Sequence, residues 1–600
     1  MRDWLRRPTA GRDLGLLGLA VVLVWAVMGG HTALSSAVRY YESVREMVAT
    51  GDWLFPRLYF VPYFEKPPLT YWLGALPVAV AGFSFHAVHV APAFAALVSL
   101  FATWSLGRLL HGGNFPLGAA GLLLGSGMFL VFITTLTTDP ILSACLALCW
   151  LGYARHDRGE RGWIWLFWVG LALGVLTKGL VAIGLTGAGI ALFHLVLEGP
   201  LGIARALWRM HPLRGTVILL LINLPWNLLV WQRDPRLIEY FWVRYNFGSF
   251  LGGIHGVEVN HEGRWYLYLL IIPIACAPLV LPTVVALGEQ GAAAWRLRRE
   301  PDRVRLYLLA CVVGPFLLLT ASSSKLATYA LPLFPLVALL VADRWRAWAA
   351  APDALSWRRW LVPIQAVAFV GAALAALLLV ASLTDRANLP RPHHPVLVGA
   401  ALAVVGGHVL AGWWWWQGRI AAGAGAALAG LVLAAALVLP RIDDLLPEVN
   451  ATALAEQVAA HRQPDDLIVV SRDHVHKYHL TLVLGRTHIL DGAREVGMGH
   501  FVEVHPPSVP LPLDTYHLGA DDRPNDSGSP WLLTTDELAA VMRSDRRVWL
   551  FCDRHQSQRL EAALGRPLIH GGRRGSVLLR SNLPIPWTPP AQLTEQDSEP

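Results

Sequence analysis

A glutamate and a lysine stand side by side in "YFEKPPLTYW", residues 63–72. Glu65 and Lys66 precede two prolines and then a Tyr–Trp pair. A lysine held at headgroup depth binds a phosphate as a point charge, and Tyr and Trp favour the same depth. The same residues also fit a snorkelling lysine inside an aromatic belt. Further polar groups stand at the ends of apolar runs: Asp139 in "TTDP" (137–140), Lys178 in "LTKG" (176–179), and Lys325 and Tyr329 in "SSSKLATY" (322–329). Ionisable groups near lipid are expensive, so a gathering of them is a functional hypothesis by default.

The elements that would position these groups are apolar. Of 600 residues, 54% are hydrophobic and 15% charged, against about 25% charged in ordinary soluble domains. Several runs reach the roughly 20 residues that a transmembrane helix needs. Spans are expected at 14–29, 88–110, 115–135, 139–156, 162–178, 180–198, 213–232, 265–288, 304–322, 327–345, 360–384, 396–417 and 419–440, thirteen in all. The Arg-rich short loops 155–162, 204–214, 295–305 and 344–359 belong on the cytoplasmic side. Parity then makes 68–84 an interfacial or re-entrant helix and puts the N-terminus inside. It also gathers 30–87, Asp139, Lys178, 233–264 and 322–329 at one outer mouth.

The net charge of +7 is mostly arginine beside spans and does not point to nucleic acid. The five cysteines have neither disulfide nor zinc spacing. "GLLLGSG" (121–127) lies within an expected span and reads as helix packing rather than a nucleotide loop. "WWWW" (413–416) reads as an interfacial anchor, and "DHVHKYHL" (473–480) lacks helical ligand spacing. Beyond residue 440 the composition turns polar. "DLIVVSRD", "RVWLFCD" and "SVLLRSN" read as buried strands, and "ATALAEQVAAH" and "TTDELAAVMRSD" as amphipathic helices. The expectation is a polytopic α-helical membrane protein, residues 1–440, followed by a soluble extracytoplasmic α/β domain (441–582) and a disordered tail (583–600).

"RYYESVREMVATGDWLFPRLYFVPYFEKPPLTYW" (39–72) resembles the first outer loop of the bacterial lipid A aminoarabinose transferases. These belong with the protein O-mannosyltransferases among the GT-C-type membrane glycosyltransferases. "TTDP", "LTKGLVA", "LPWNLLV", "EYFWVRYNFGSFL", "NHEGRWYLYL" and "SSSKLATYALPLFPLVALL" follow in the family's order. The resemblance implies a GT-C-like fold and transfer of a sugar from a polyprenyl-phosphate donor to a lipid or glycan acceptor. The reaction would take place at the outer face of a bacterial inner membrane, with the C-terminal domain periplasmic. It implies that Tyr40, Lys66, Arg264 and Tyr329 meet the donor phosphate, with Arg39, Glu65 and Lys325 at the same mouth. Asp139 and Lys178 are the candidate catalytic residues, either a structural brace or acceptor- and sugar-binding groups. No cofactor is required; Glu65 with His261 offers two ligands to a divalent metal, too few to insist on one.

One departure from the family stands out. Its members carry an Asp–Glu pair just before the Arg-x-Tyr stretch, and here those positions are Ser36 and Ala37. Neither does general-base chemistry unaided. Asp139 is then the best carboxylate on the right face, unless the acceptor is an oxygen already ionised. A non-catalytic lipid-binding relative and a lipid-linked sugar transporter are the other readings; a transporter would show repeat halves, and no internal repeat is evident.

Overall fold

The computed structural model describes residues 8–30, 37–58, 61–239, 241–242, 264–276, 280–299, 302–350, 394–417, 419–441, 452–471, 484, 488–490, 532–533, 535–574 and 577–587. The chain is mostly helical. In order come α1 (Pro8–Met28), α2 (Val38–Thr50), the β1–β2 ribbon (Arg57–Leu58 and Val61–Pro62), α3 (Leu69–Ala81), α4 (Phe85–Leu110), α5 (Phe115–Leu124), α6 (Gly127–Phe132), α7 (Thr138–Asp157), α8 (Ile164–Lys178), α9 (Val181–Glu198), α10 (Pro200–Arg209), α11 (Pro212–Arg233) and α12 (Pro235–Glu239). Then follow α13 (Leu267–Ala275), α14 (Val280–Arg299), α15 (Arg303–Ala321), a 3-10 turn (Ala327–Leu333), α16 (Phe334–Ala350), α17 (His394–Trp416) and α18 (Ile420–Val438).

Among the described residues, eight helices are long and apolar enough to cross a membrane. The expected thirteen spans are therefore not all single helices. The run 115–135 is broken into α5 and α6 at Gly125–Ser126, where the Ser126 hydroxyl donates to the Leu123 carbonyl. Gly121 does pack closely, 3.2 Å from the Ala424 side chain for an added Cβ, but Gly125 ends a helix instead of lining one. The run 265–288 is carried by α13 and α14, and 360–384 lies outside the described residues. α3 has 13 residues, about 20 Å of rise, and is too short to cross a core about 30 Å thick. In "WWWW", Trp413 and Trp416 are exposed as an anchor requires, but Trp415 is buried against Trp345.

Glycines set how closely the helices that carry the polar groups approach. A Cβ at Gly170 of α8 would sit 2.9 Å from the Cys145 carbonyl of α7, and one at Gly174 would sit 3.0 Å from Ala182 of α9. A second apolar cluster binds α2, the ribbon and α3 to α4, α7 and α11. Trp226 of α11 stacks on Phe64 (5.5 Å, 9°) and donates to the Leu54 carbonyl. Asp52 ties the loop after α2 by accepting from the Leu54 amide and from the buried Arg57 at 2.8 Å. Gly51, at φ 68°, makes the left-handed turn that ends α2.

Past residue 451 come α19 (Thr452–His461), β3 (Leu467–Ser471), β4 (His488–Leu490), β5 (Leu532–Leu533), α20 (Thr535–Met542), β6 (Val548–Cys552), α21 (Arg554–Leu564), β7 (Ile569–Arg574) and β8 (Val577–Ser581). They form a six-stranded sheet in the order β5-β4-β3-β6-β8-β7. β5, β4, β3 and β6 are parallel, and β8 pairs antiparallel with both β6 and β7. β3 and β6 are buried along their whole length, as strands covered on both faces are. Residues 473–480 and 588–600 lie outside the described residues.

Candidate functional site

Asp139 and Lys178 belong to two antiparallel helices and meet across their ends. Asp139 sits in the first turn of α7, where the helix dipole favours an anion, and Lys178 in the last turn of α8, where it favours a cation. Gly179, at φ 71°, turns the chain away immediately after the lysine. Lys178 Nζ lies 2.5 Å from Asp139 Oδ1, and both side chains are about nine-tenths buried, at 11% and 9% exposure. The ammonium also lies 3.9 Å from the centre of the Tyr329 ring. Residues separated by up to 190 positions thus form one charged cluster, and the phenol of Tyr40 lies within electrostatic range of Lys178.

Tyr40 comes from the buried face of α2. Its ring stacks on Tyr71 of α3 (5.7 Å, 22°), and the Arg39 guanidinium lies 5.5 Å from the ring centre. Tyr63 donates to Glu65 Oε2 at 2.5 Å, and Lys66 Nζ donates to the Glu65 carbonyl at 3.3 Å. Burial first, and then the Glu65 charge, push the Tyr63 phenol well above its ordinary range, while Arg39 draws it down. Arg39, Tyr40, Tyr63, Glu65 and Tyr71 are therefore one electrostatic group. Tyr63 and Tyr71 lie within the motif quoted from residues 63–72, where the aromatics read as an interfacial belt with no role at the site. The i, i+2 spacing of Tyr63 and Glu65 in extended chain was the available signal.

The other expected site residues are less closely assembled. Arg264 is exposed, and its hydrogen bond is to the Tyr266 hydroxyl at 3.0 Å. Lys325 donates to the Ser322 carbonyl. His261 and Ser36 lie outside the described residues, so the Glu65–His261 metal pair is not described; among the described residues no group of three or more His, Cys, Asp or Glu gathers as metal ligands. Ala37 is fully buried at the start of α2.

Two acids that follow Ser36 and Ala37 are committed elsewhere. Glu42 is buried and accepts two bonds from Arg45, at 2.6 and 2.9 Å. Asp52 is held by Arg57 and by loop amides. The mouth thus has an ion pair, phenols and cations, the groups that bind a phosphate and offset charge on a departing one.

A helical bundle with these groups at one mouth is the arrangement that the resemblance read from the motifs implies. Residues 65–231 match the family model described as dolichyl-phosphate-mannose-protein mannosyltransferase. An undecaprenyl phosphate-alpha-4-amino-4-deoxy-L-arabinose arabinosyl transferase 1 of Sodalis glossinidius (strain morsitans) is 31% identical over 352 residues, 56% of this chain and 59% of that protein. The corresponding transferase of Pseudomonas savastanoi pv. phaseolicola is 31% identical over 341 residues, 55% of this chain and 61% of that protein. The chain spans about three fifths of the length of these curated relatives. Among solved structures, ArnT from Cupriavidus metallidurans bound to undecaprenyl phosphate matches with a TM-score of 0.73 at 20% identity, over 95% of this chain and 97% of that one. Its apo state matches at 0.72 and 21% identity, over 96% and 98%. The resemblance read from the motifs holds, and the chain has the ArnT fold.

Proposed function

We propose that this protein transfers a glycosyl group from a polyprenyl-phosphate-linked sugar to a lipid A-like or other acceptor at the outer face of the inner membrane. The observation that carries the reading is the meeting of Asp139, Lys178 and Tyr329 within electrostatic range of Tyr40. The name of the Sodalis glossinidius relative, an undecaprenyl phosphate-linked aminoarabinose transferase, supports the donor class.

In this reaction the acceptor oxygen bonds to the anomeric carbon, and the bond from that carbon to the phosphate oxygen breaks. The phosphate leaves as a polyprenyl monoester, one negative charge richer than the diester. In our reading Tyr40 and Tyr329 donate to its oxygens, and Lys66 and Arg264 offset the growing charge. Arg264 would have to swing from Tyr266. Lys325 and Arg39 add positive potential at the mouth. An acceptor hydroxyl must lose its proton, whereas an ionised phosphate oxygen needs no base. With Ser36 and Ala37 in place of acids, and Asp139 bound to Lys178, the second kind of acceptor fits better. Asp139 and Lys178 then fix the mouth and orient the sugar. The residues require no metal for this step.

The topology belongs to the same proposal. Counting α7, α8 and the runs 115–135, 265–288 and 360–384 as crossings beside the eight long apolar helices gives thirteen spans, a cytoplasmic N-terminus, loops 30–87 and 233–264 outside, and the sheet domain in the periplasm. The test is transfer by the purified full chain from undecaprenyl-phosphate-linked aminoarabinose to lipid A, read as a mass increase of the acceptor. Donor binding without turnover would leave a non-catalytic lipid-binding protein, and transport without transfer would favour a carrier.

A further inference from the structure

At the far end of the bundle, α10 carries apolar and basic groups that the glycosyl-transfer reading does not use. α9 begins three residues after Lys178 and α11 follows α10, and both α9 and α11 are long and apolar enough to span. α10 therefore lies at the bundle end opposite the candidate site. It has 10 residues, about 15 Å of rise, and cannot cross. Gly199 at φ 75° and His211 at φ 55° bend the chain into and out of it.

Its inner face is small and fixed. Gly202 and Ala206 are buried, and a Cβ at Gly202 would sit 2.5 Å from Glu198 Cβ. The Trp168 indole donates to the Met210 carbonyl at 2.7 Å. The outer face is apolar: Leu201 is 73% exposed, Leu207 54%, Trp208 74% and the adjacent Leu213 77%. Arg205, Arg209 and Arg214 are exposed beside them. Between Glu198 and Asp234 the sequence contains no acidic residue.

We propose that α10 lies in the membrane interface and binds the headgroups of anionic phospholipids. The apolar face continues the lipid-facing surfaces of α9 and α11, and Trp favours this depth. The arginines supply charge complementary to phosphate. A zwitterionic headgroup carries an ammonium beside its phosphate, so it offers the arginines no net charge, and only an acid could add attraction. Glu198 is the acid at hand, and it already meets Arg205 at 3.5 Å, Arg303 at 3.8 Å and His194 at 3.5 Å.

The experiment is a thermal-shift titration of the detergent-purified full chain with phosphatidylglycerol and, separately, phosphatidylcholine. Phosphatidylglycerol should raise the Tm, and phosphatidylcholine should not. Arg205→Gln/Arg209→Gln/Arg214→Gln should lower the apparent affinity for phosphatidylglycerol on the order of tenfold or more. The charge-matched Arg158→Gln/Arg161→Gln/Arg346→Gln should retain it. Equal shifts from the two lipids, or an unchanged response in the first triple variant, overturns the proposal. Should that variant not fold, salt decides on the unaltered protein. Roughly 0.5 M salt shortens electrostatic range to a few ångströms and should abolish the preference; a preference that survives overturns the proposal.

Discussion

At the scale of single residues, the ion pair and the phenols are separable. Lys178→Ala leaves the Asp139 carboxylate buried without its cation, and breaking a buried pair from one side costs about 3–5 kcal/mol. A large fall in Tm is expected, with loss of transfer. Asp139→Leu/Lys178→Met removes both charges together, and such replacements are often close to neutral for stability. That double variant should recover most of the Tm and none of the transfer; full transfer in it would make the pair a brace and nothing more. Tyr40→Phe keeps the stack on Tyr71 and removes one hydroxyl. A hydrogen bond to a charged group contributes about 1.5–3 kcal/mol, so kcat/KM for the polyprenyl-linked donor should fall about 10- to 100-fold at unchanged Tm. Asp139 and Lys178 were legible because each interrupts an apolar run, and Tyr40 through the family resemblance of its loop. Tyr63 and Tyr71 were not, because an aromatic near a span end reads as belt until packing shows what its hydroxyl or ring touches. Glu42, the first acid after Ser36 and Ala37, is held by two bonds from Arg45.

At the scale of elements, the site depends on α7 and α8 approaching closely enough for Asp139 to reach Lys178. Gly170 permits that approach. Gly170→Leu drives side-chain atoms into the Cys145 backbone and the Cys149 sulfur, and overpacking of this kind costs roughly 1–3 kcal/mol. Transfer should fall more than Tm alone predicts, because spreading α7 from α8 also opens the ion pair. Equal activity per folded molecule would show that the mouth tolerates the shift. Hydropathy made most of the helices legible, along with strands β3, β6 and β8 and the helices α19 and α20. It did not reveal the break at Gly125–Ser126. A sliding average sees continuous apolar composition, whereas the break is made by backbone turning and by a serine hydroxyl on the Leu123 carbonyl. The 13-residue length of α3 was legible indirectly, since charge parity left no room for another crossing.

At the scale of the whole molecule, the proposed topology puts the two ends of the bundle on opposite sides of the membrane. Asp139, Lys178 and Tyr329 mark one end, and α10 with the turn after α7 marks the other. The arginines 155, 158, 161, 205, 209 and 214 flank the second end, which the positive-inside rule predicts to be cytoplasmic. Cysteine labelling checks this against a quiet background. Cys145, Cys149, Cys311 and Cys552 are buried, burial pushes the Cys552 thiol up to about 12, and the half-buried Cys276 can be replaced by Ser. Arg264→Cys at the site end should react with a membrane-impermeant maleimide in cells whose outer membrane alone is permeable. Arg209→Cys should react only after the inner membrane is opened. The reverse pattern would turn the molecule over and place the mouth in the cytoplasm, away from any acceptor on the outer leaflet. Labelling of both positions from one side would break the link between connectivity and sidedness, because α9 could then not cross. The expected pattern makes the phosphate-binding mouth and the basic α10 belt address different leaflets, so a variant in one should leave lipid binding at the other unchanged.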